Sequence, residues 1–188
     1  MTTSDRPGFE RYLAVLRKAY LTVELAPPEM NLPASEDAIA ALEKAVGHAL
    51  PAGLHKAWLV ADGQGITPDA PVFWQIDADD EDEGRLVGYD FLSVEQAREA
   101  HAGLANREQL PFADFGAGAI RLMIDFASSP VGAVIAVASD DMTWIASSFE
   151  ALLERASVLL ASDPDHVLQE ITQDGSIPRR RERRDDRE

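Results

Sequence analysis

Two short helices joined by a Leu-Pro dipeptide are predicted by LEKAVGHALPAGLHKAWLVADGQG, which runs from Leu42 to Gly65. The apolar side chains of the first helix recur at helical spacing, at Ile39, Leu42 and Val46. Gly47 is suited to end that helix, since glycine tolerates a left-handed conformation. Pro51 suits the first turn of the second helix, where its missing N–H costs nothing, and Asp62-Gly63 predicts a turn. The stretch contains no catalytic signature. It therefore predicts local structure but no particular activity.

Further helices are predicted on both sides of this pair. Residues 9–25 have apolar side chains at helical spacing, and Pro27-Pro28 should end that helix because proline supplies no N–H. Ser35 is the predicted N-cap of the helix that contains Leu42. Capping boxes predict two more helices, with the residue pairs Ser93 with Gln96 and Ser147 with Glu150. Asp163-Pro164 predicts the start of a final short helix.

Strands are predicted after the Asp-Gly turn from β-branched and aromatic composition. They cover residues 71–76, 85–87, 110–115, 119–126 and 131–139. Because the strands are close together and lack a helix after each, the order predicts an α+β fold with a mostly antiparallel sheet flanked by helices. A doubly wound parallel fold is not expected. We divide the chain into an N-terminal helix and Pro-rich link (1–31), one α+β domain with C-terminal helices (32–175) and a disordered Arg-rich tail (176–188).

Composition limits the classes of function. The chain has 188 residues, a formal net charge of −16 and no cysteine, which excludes disulfides, thiolate zinc sites and cysteine nucleophiles. The residues after Met1 form no signal peptide and no apolar run is long enough to span a membrane, so we expect a cytoplasmic protein. An acidic chain is repelled by nucleic acids and anionic membranes but attracts basic proteins. Solubility alone is an equally good explanation of the acidity.

Motifs for chemistry are few. The histidines lack the spacing of a helical metal pair, and neither a metal nor a cofactor is predicted. Gly116-Ala117-Gly118 lacks the third glycine of a dinucleotide fingerprint and leads into a predicted strand. Asp77, Asp79 and Glu81 have the early spacing of a calcium loop, but Asp82 and Gly88 replace its essential glycine and glutamate. Asp125 could act as a catalytic acid with a histidine, although a lone carboxylate more often makes local hydrogen bonds.

Three tryptophans, Trp58, Trp74 and Trp144, could be exposed anchors of a protein interface. Packing in the core is the commoner role of a tryptophan, and we weigh it two to one for each of them. Six acids among the seven residues 77–83 cannot be buried and predict a solvated loop next to Trp74.

The order of these segments resembles the SUKH superfamily, which includes fungal cell-wall regulators of the Smi and Knr type. The resemblance rests on Leu42-Glu43, Leu50-Pro51, Trp58-Leu59 and Asp62-Gly63, and covers about residues 32–160. Later segments fit in the same order, at residues 91–93, 111–113, 116–118, 122–125, 132–137 and 145–153. The resemblance implies a non-enzymatic α+β binding domain. Bacterial members are mostly immunity proteins that neutralise polymorphic toxins, often nucleases, by binding them in the cytosol.

Two functions follow from the resemblance. The first is an immunity protein that binds a basic toxin domain; the second is a regulatory or scaffold protein of the Smi/Knr type linked to cell-wall or growth control. For the first we predict that the partner is captured by an acidic loop, with Trp74 as an anchor. The loop residues are Asp77, Asp79, Asp80, Glu81, Asp82 and Glu83. Complementary charge would speed the association.

Overall fold

The computed structural model describes residues 8–65, 70–76, 86–115, 119–138, 141–162, 164 and 168. These residues form five helices and six strands. In chain order they are α1 (Gly8–Thr22), α2 (Glu36–Val46), α3 (Ala52–Val60), β1 (Phe73–Ile76), β2 (Leu86–Phe91), α4 (Val94–Ala102), β3 (Gln109–Phe115), β4 (Ile120–Asp125), β5 (Ala133–Ala138), β6 (Asp141–Ala146) and α5 (Phe149–Ser162). The predicted last helix lies mostly outside the described residues.

The two helices predicted by the opening stretch are present as α2 and α3. The Ser35 side chain accepts a hydrogen bond from the Ala38 N–H at 3.2 Å and caps α2. Gly47 ends α2 in the left-handed conformation, with φ of 84°. Pro51 is the N-cap residue of α3, one position before the first turn in which it was predicted. The Ser35 cap and the Gly47 helix end are confirmed.

The six strands form one antiparallel sheet in the order β1-β2-β3-β4-β5-β6, in which each strand pairs with its neighbour in the chain. This arrangement confirms the α+β class and excludes a doubly wound parallel fold. The sequence predicted five strands and missed β6, which pairs with β5. As a result, β6 and not the predicted fifth strand forms one edge of the sheet, and β1 forms the other.

One hydrophobic core lies on a single face of the sheet, and all five helices contribute to it. At its centre the rings of Phe9, Phe73, Phe91 and Phe149 pack with centroids 5.3–6.4 Å apart. Burial of this much apolar surface is the main stabilising contribution to such a fold. Because every helix packs on this face, the opposite face of the sheet, here called the outer face, has no cover among the described helices.

The N-terminal helix is part of this core. Its buried side chains are Phe9, Tyr12, Leu16, Ala19 and Tyr20. The Tyr12 hydroxyl donates to the Val72 carbonyl, and the Tyr20 hydroxyl donates to the Pro71 carbonyl at 3.0 Å, so α1 is bonded to the chain just before β1. The predicted end of α1 at Pro27-Pro28 is wrong. The helix ends at Thr22, and Glu24 in a left-handed conformation turns the chain first.

One of the two predicted capping boxes is confirmed. The Ser93 side chain accepts from the Gln96 N–H while the Gln96 side chain accepts from the Ser93 N–H. The other is wrong by one residue, because the hydroxyl of Ser148 and not of Ser147 accepts from the Ala151 N–H. None of the helices within the described ranges is both long and apolar enough to cross a membrane.

Candidate binding surface

The outer face of the sheet is built from three cross-strand rows. One row runs through Asp90, Asp114, Arg121, Val137 and Met142, from β2 to β6. The second row runs through Pro111, Met123, Ile135 and Trp144, and the third through Gln109, Asp125 and Ala133. Successive strand residues point to opposite faces, so these side chains lie opposite the helices. The outer face thus combines apolar and acidic side chains.

Two large apolar side chains on this face are exposed. Trp144 is 59% exposed and Met142 is 61% exposed, both on the edge strand β6. Their neighbours in the middle of the sheet, Met123 and Ile135, are each only 2% exposed, although they are not part of the helix-covered core. Exposed apolar side chains next to buried apolar side chains are typical of a protein interface.

A long-range contact crosses the outer face. The Gln109 Nε2 lies 3.6 Å from the Met142 Sδ, although β3 and β6 are separated by β4 and β5. The two side chains therefore meet above the central strands and help to cover Met123 and Ile135. An amide–thioether bond is weak and methionine is flexible, so a partner can displace this contact at little cost.

The row that runs from Asp90 to Met142 contains charged side chains, among them a half-buried carboxylate opposite a guanidinium. Asp114 is half-buried, and its burial raises the pKa of its carboxyl above the usual 3.8, while the Arg121 guanidinium opposite it acts to lower that pKa. The Nε of Arg121 is buried and has no hydrogen-bond partner among the described residues. Asp90 lies across from Asp114 and accepts from the Gln64 Nε2 at 2.8 Å. This row contains two carboxylates, of Asp90 and Asp114, and one guanidinium, of Arg121, so it attracts cations.

Asp114→Asn is expected to change how stability depends on pH. Because the pKa of Asp114 is raised in the folded protein, the folded state holds this proton more tightly than the unfolded chain does. The resulting stability is fully present below the unfolded pKa and is lost as the pH rises through the folded pKa. We therefore expect the variant to gain stability relative to the wild type as the pH rises from about 4, the ordinary pKa of an aspartate carboxyl, towards neutral. Urea unfolding across this range measures the effect.

The control for this experiment is Asp141→Asn, which removes an exposed carboxylate at the start of β6. It should change the pH course of stability less than Asp114→Asn does. If Asp114→Asn and the wild type follow the same pH course, the desolvation of Asp114 is not the cause of any acid dependence.

The Asp62-Gly63 pair holds elements together. The Asp62 Oδ1 accepts the Val94 N–H at 2.7 Å and so caps the first turn of α4. The Gln64 side chain accepts the Phe91 N–H at 3.1 Å, and the Asn31 amide donates to the carbonyls of Asp62 and Gln64. The segment after α3 is thereby bonded to the end of β2. The Asp62-Gly63 segment therefore connects the end of α3 to β2 and α4.

The Leu-Pro link is also held by side chains. The Glu43 Oε1 accepts the Leu50 N–H at 2.9 Å, which ties the end of α2 to the start of the link. His55 lies 3.0 Å from the Glu36 carboxylate and 3.8 Å from that of Glu43. These contacts of Glu43 and His55 hold the link between α2 and α3 in place.

The predicted binding residues are only partly described. Trp74 lies on β1 and pairs with Gly88 of β2, while its side chain is outside the described part of the structure. Asp77, Asp79, Asp80, Glu81, Asp82 and Glu83 lie outside the described residues, between β1 and β2. They follow the edge strand β1, whereas Trp144 lies on the opposite edge. Five strand spacings, about 24 Å, separate the two edges.

The tryptophans divide between the two roles considered for them. Trp58 is completely buried and its Nε1 donates to the Leu92 carbonyl at 2.9 Å. Trp144 is exposed, as an interface anchor would be. Its place in the sheet depends on β6, which the sequence did not predict.

Asp125 makes local hydrogen bonds. Its Oδ1 accepts the Ala127 N–H at 3.2 Å, and no described contact joins it to a histidine. A groove of about 620 Å³ between α1 and the Pro27-Pro28 segment is lined by neither Asp125 nor a histidine. Within the described ranges, no group of three or more His, Asp or Glu side chains is arranged to hold a metal ion.

The fold defines a class of protein, the single α+β domain in which helices cover one face of an antiparallel meander. Comparison with family models gives the particular family. The model of the SMI1 / KNR4 family (SUKH-1) matches residues 33–155, which is more than half of the chain. The chain therefore belongs to the SMI1 / KNR4 family, as the resemblance predicted. A search of the curated proteins found no match. Helix α1 precedes the matched residues and nevertheless packs in the same core.

Proposed function

We propose that this protein is a non-enzymatic immunity protein that neutralises a basic toxin domain by direct binding in the cytoplasm. The observation that carries the proposal is the outer face, where exposed Trp144 and Met142 lie near carboxylates on a sheet face that no described helix covers. Tryptophan is enriched among the residues that dominate protein interfaces. The charge of −16 would attract a basic partner and speed its association.

The family membership supports the same proposal through what it implies. Bacterial proteins of the SUKH superfamily are mostly immunity proteins, and an immunity protein needs a binding surface and no catalytic group. The Asp62-Gly63 and Leu50-Pro51 motifs are occupied with hydrogen bonds inside the fold. Partner recognition would then fall to residues outside these motifs, which suits toxins that differ from one another.

The proposal requires a toxin gene beside the gene for this protein, and co-expression with the toxin domain encoded there tests it. Induction of the toxin alone should arrest growth, and co-expression with this protein should restore it. The two purified proteins should form a one-to-one complex on size exclusion, and the complex should weaken as salt rises. Growth arrest despite the presence of both proteins contradicts the proposal. Retention of several housekeeping proteins, with no adjacent toxin gene, favours the regulatory or scaffold role.

A further inference from the structure

The outer face offers side chains rather than a sheet edge to a partner. An edge strand can bind another strand through its free backbone groups, but a bulge interrupts that pattern and protects the edge. In β6 the register shifts between the pairs Val134 with Ala146 and Ile135 with Trp144, which leaves Ile145 as the extra residue. This bulge adjoins Trp144, so the backbone there is poorly placed for strand addition. The Trp144 side chain remains available on the face.

The apolar part of the surface is adjacent to acidic groups. Met142 and Trp144 are on β6, and Ile135 and Met123 extend the apolar row towards β3. Asp114 of the first row lies on one side of it and is half-buried, with the Arg121 guanidinium opposite it. Asp125 of the third row lies on the other side but is buried, and its Oδ1 accepts the Ala127 N–H. A complementary partner therefore presents an apolar side chain flanked by a Lys or Arg residue that reaches Asp114 and its exposed neighbour Asp90.

We propose that the outer face is the docking surface for the toxin and that Trp144 is its anchor. An apolar side chain of the toxin packs against Trp144 and Met142, displacing the Gln109–Met142 contact, while flanking Lys or Arg side chains meet the carboxylates. This inference rests on the proposed function. It places the energetic centre of binding on β6, at the edge of the sheet opposite β1.

The first test measures the affinity of the full-length protein for an inactive form of the toxin domain encoded by the adjacent gene. Trp144→Ala is expected to weaken binding by about 30-fold or more, as the loss of a central anchor does. The matched control is Val158→Ala on α5, where an apolar side chain is 63% exposed on the helical side of the molecule. The control should stay within about twofold of the wild type.

A second pair of variants tests the charge of the partner. Met142→Glu and Met142→Lys both remove the exposed apolar side chain, so the difference between them reports the sign of the facing charge. We expect the lysine variant to associate at least about tenfold more slowly than the glutamate variant at low salt, with the difference decreasing at high salt. Equal association rates would overturn the basic character of the partner.

The outcomes separate the surface from the function. If the toxin is bound and neutralised but Trp144→Ala binds like the wild type, the docking surface is wrong and the immunity function remains. If the wild type does not bind the toxin, the proposed function fails and the docking proposal fails with it. If Trp144→Ala converts a dimer to a monomer on size exclusion, a second copy occupies the face. If removal of residues 176–188 raises acrylamide quenching in the wild type but not in Trp144→Phe, the Arg-rich tail occupies the face. Each of these two results overturns the toxin as occupant.

Discussion

Gly63→Ala is expected to lower the free energy of unfolding by about 3 kcal/mol, because two costs add at this position. Gly63 has φ of 76°, a conformation that side chains other than glycine rarely adopt. A Cβ built there would lie 2.5 Å from the Ser93 N, 2.8 Å from the Leu92 C and 2.9 Å from the Phe91 O. These are backbone atoms of the junction between β2 and α4, which cannot move as a side chain does. Urea unfolding at neutral pH measures the loss.

Gly47→Ala is the matched control for this prediction. Gly47 has φ of 84°, close to that of Gly63, but a Cβ there would have no atom within 4 Å. The control therefore carries only the conformational cost, about 1 kcal/mol. The difference between the variants measures the steric cost of the close approach at Gly63. If both variants lose the same stability, the close approach of the β2–α4 junction to Gly63 adds no steric cost.

Local signals predicted the parts of the fold that depend on neighbouring residues. The Ser35 cap, the Gly47 helix end and the Ser93 capping box each use groups within about four residues, and each is present. The antiparallel order also followed from short connections between strands. Asp62-Gly63 predicts a turn from its own sequence, but its contacts are with residues 91–94, about thirty positions further along the chain. No local pattern carries that information.

The missed strand explains why Trp144 had no predicted role, although the docking surface proposed above has it as the anchor. Asp141–Ala146 is short and contains a bulge, so its apolar residues do not alternate regularly along the strand. Without β6, Trp144 had no assigned face. The acidic loop is conspicuous in the sequence because six of the seven consecutive residues 77–83 are acidic, whereas the outer face combines residues from five strands. The loop remains a prediction for electrostatic capture, and it is compatible with an anchor on β6.

Trp58→Ala is expected to lower the free energy of unfolding by about 4 kcal/mol. Trp58 is completely buried, and its ring is stacked on that of Phe91 with centroids 6.0 Å apart. Its removal leaves a cavity between α3 and the end of β2 and leaves the Leu92 carbonyl without its donor. Total stability in proteins is about 5–15 kcal/mol, so this single change would remove a large part of it. Chemical unfolding, with circular dichroism as the signal, measures the loss.

Two further variants separate the causes of this loss and compare the tryptophans. Trp58→Phe keeps most of the ring but removes the Nε1 donor, so it should cost about 1–3 kcal/mol for a buried carbonyl left unsatisfied. Trp144→Ala makes the same change of residue on the exposed outer face, and should cost less than about 1 kcal/mol. The docking proposal expects Trp144→Ala to weaken toxin binding strongly at this small cost in stability. A loss of stability at Trp144 as large as that at Trp58 would mean that Trp144 supports the fold, and the weakened binding could then be attributed to unfolding.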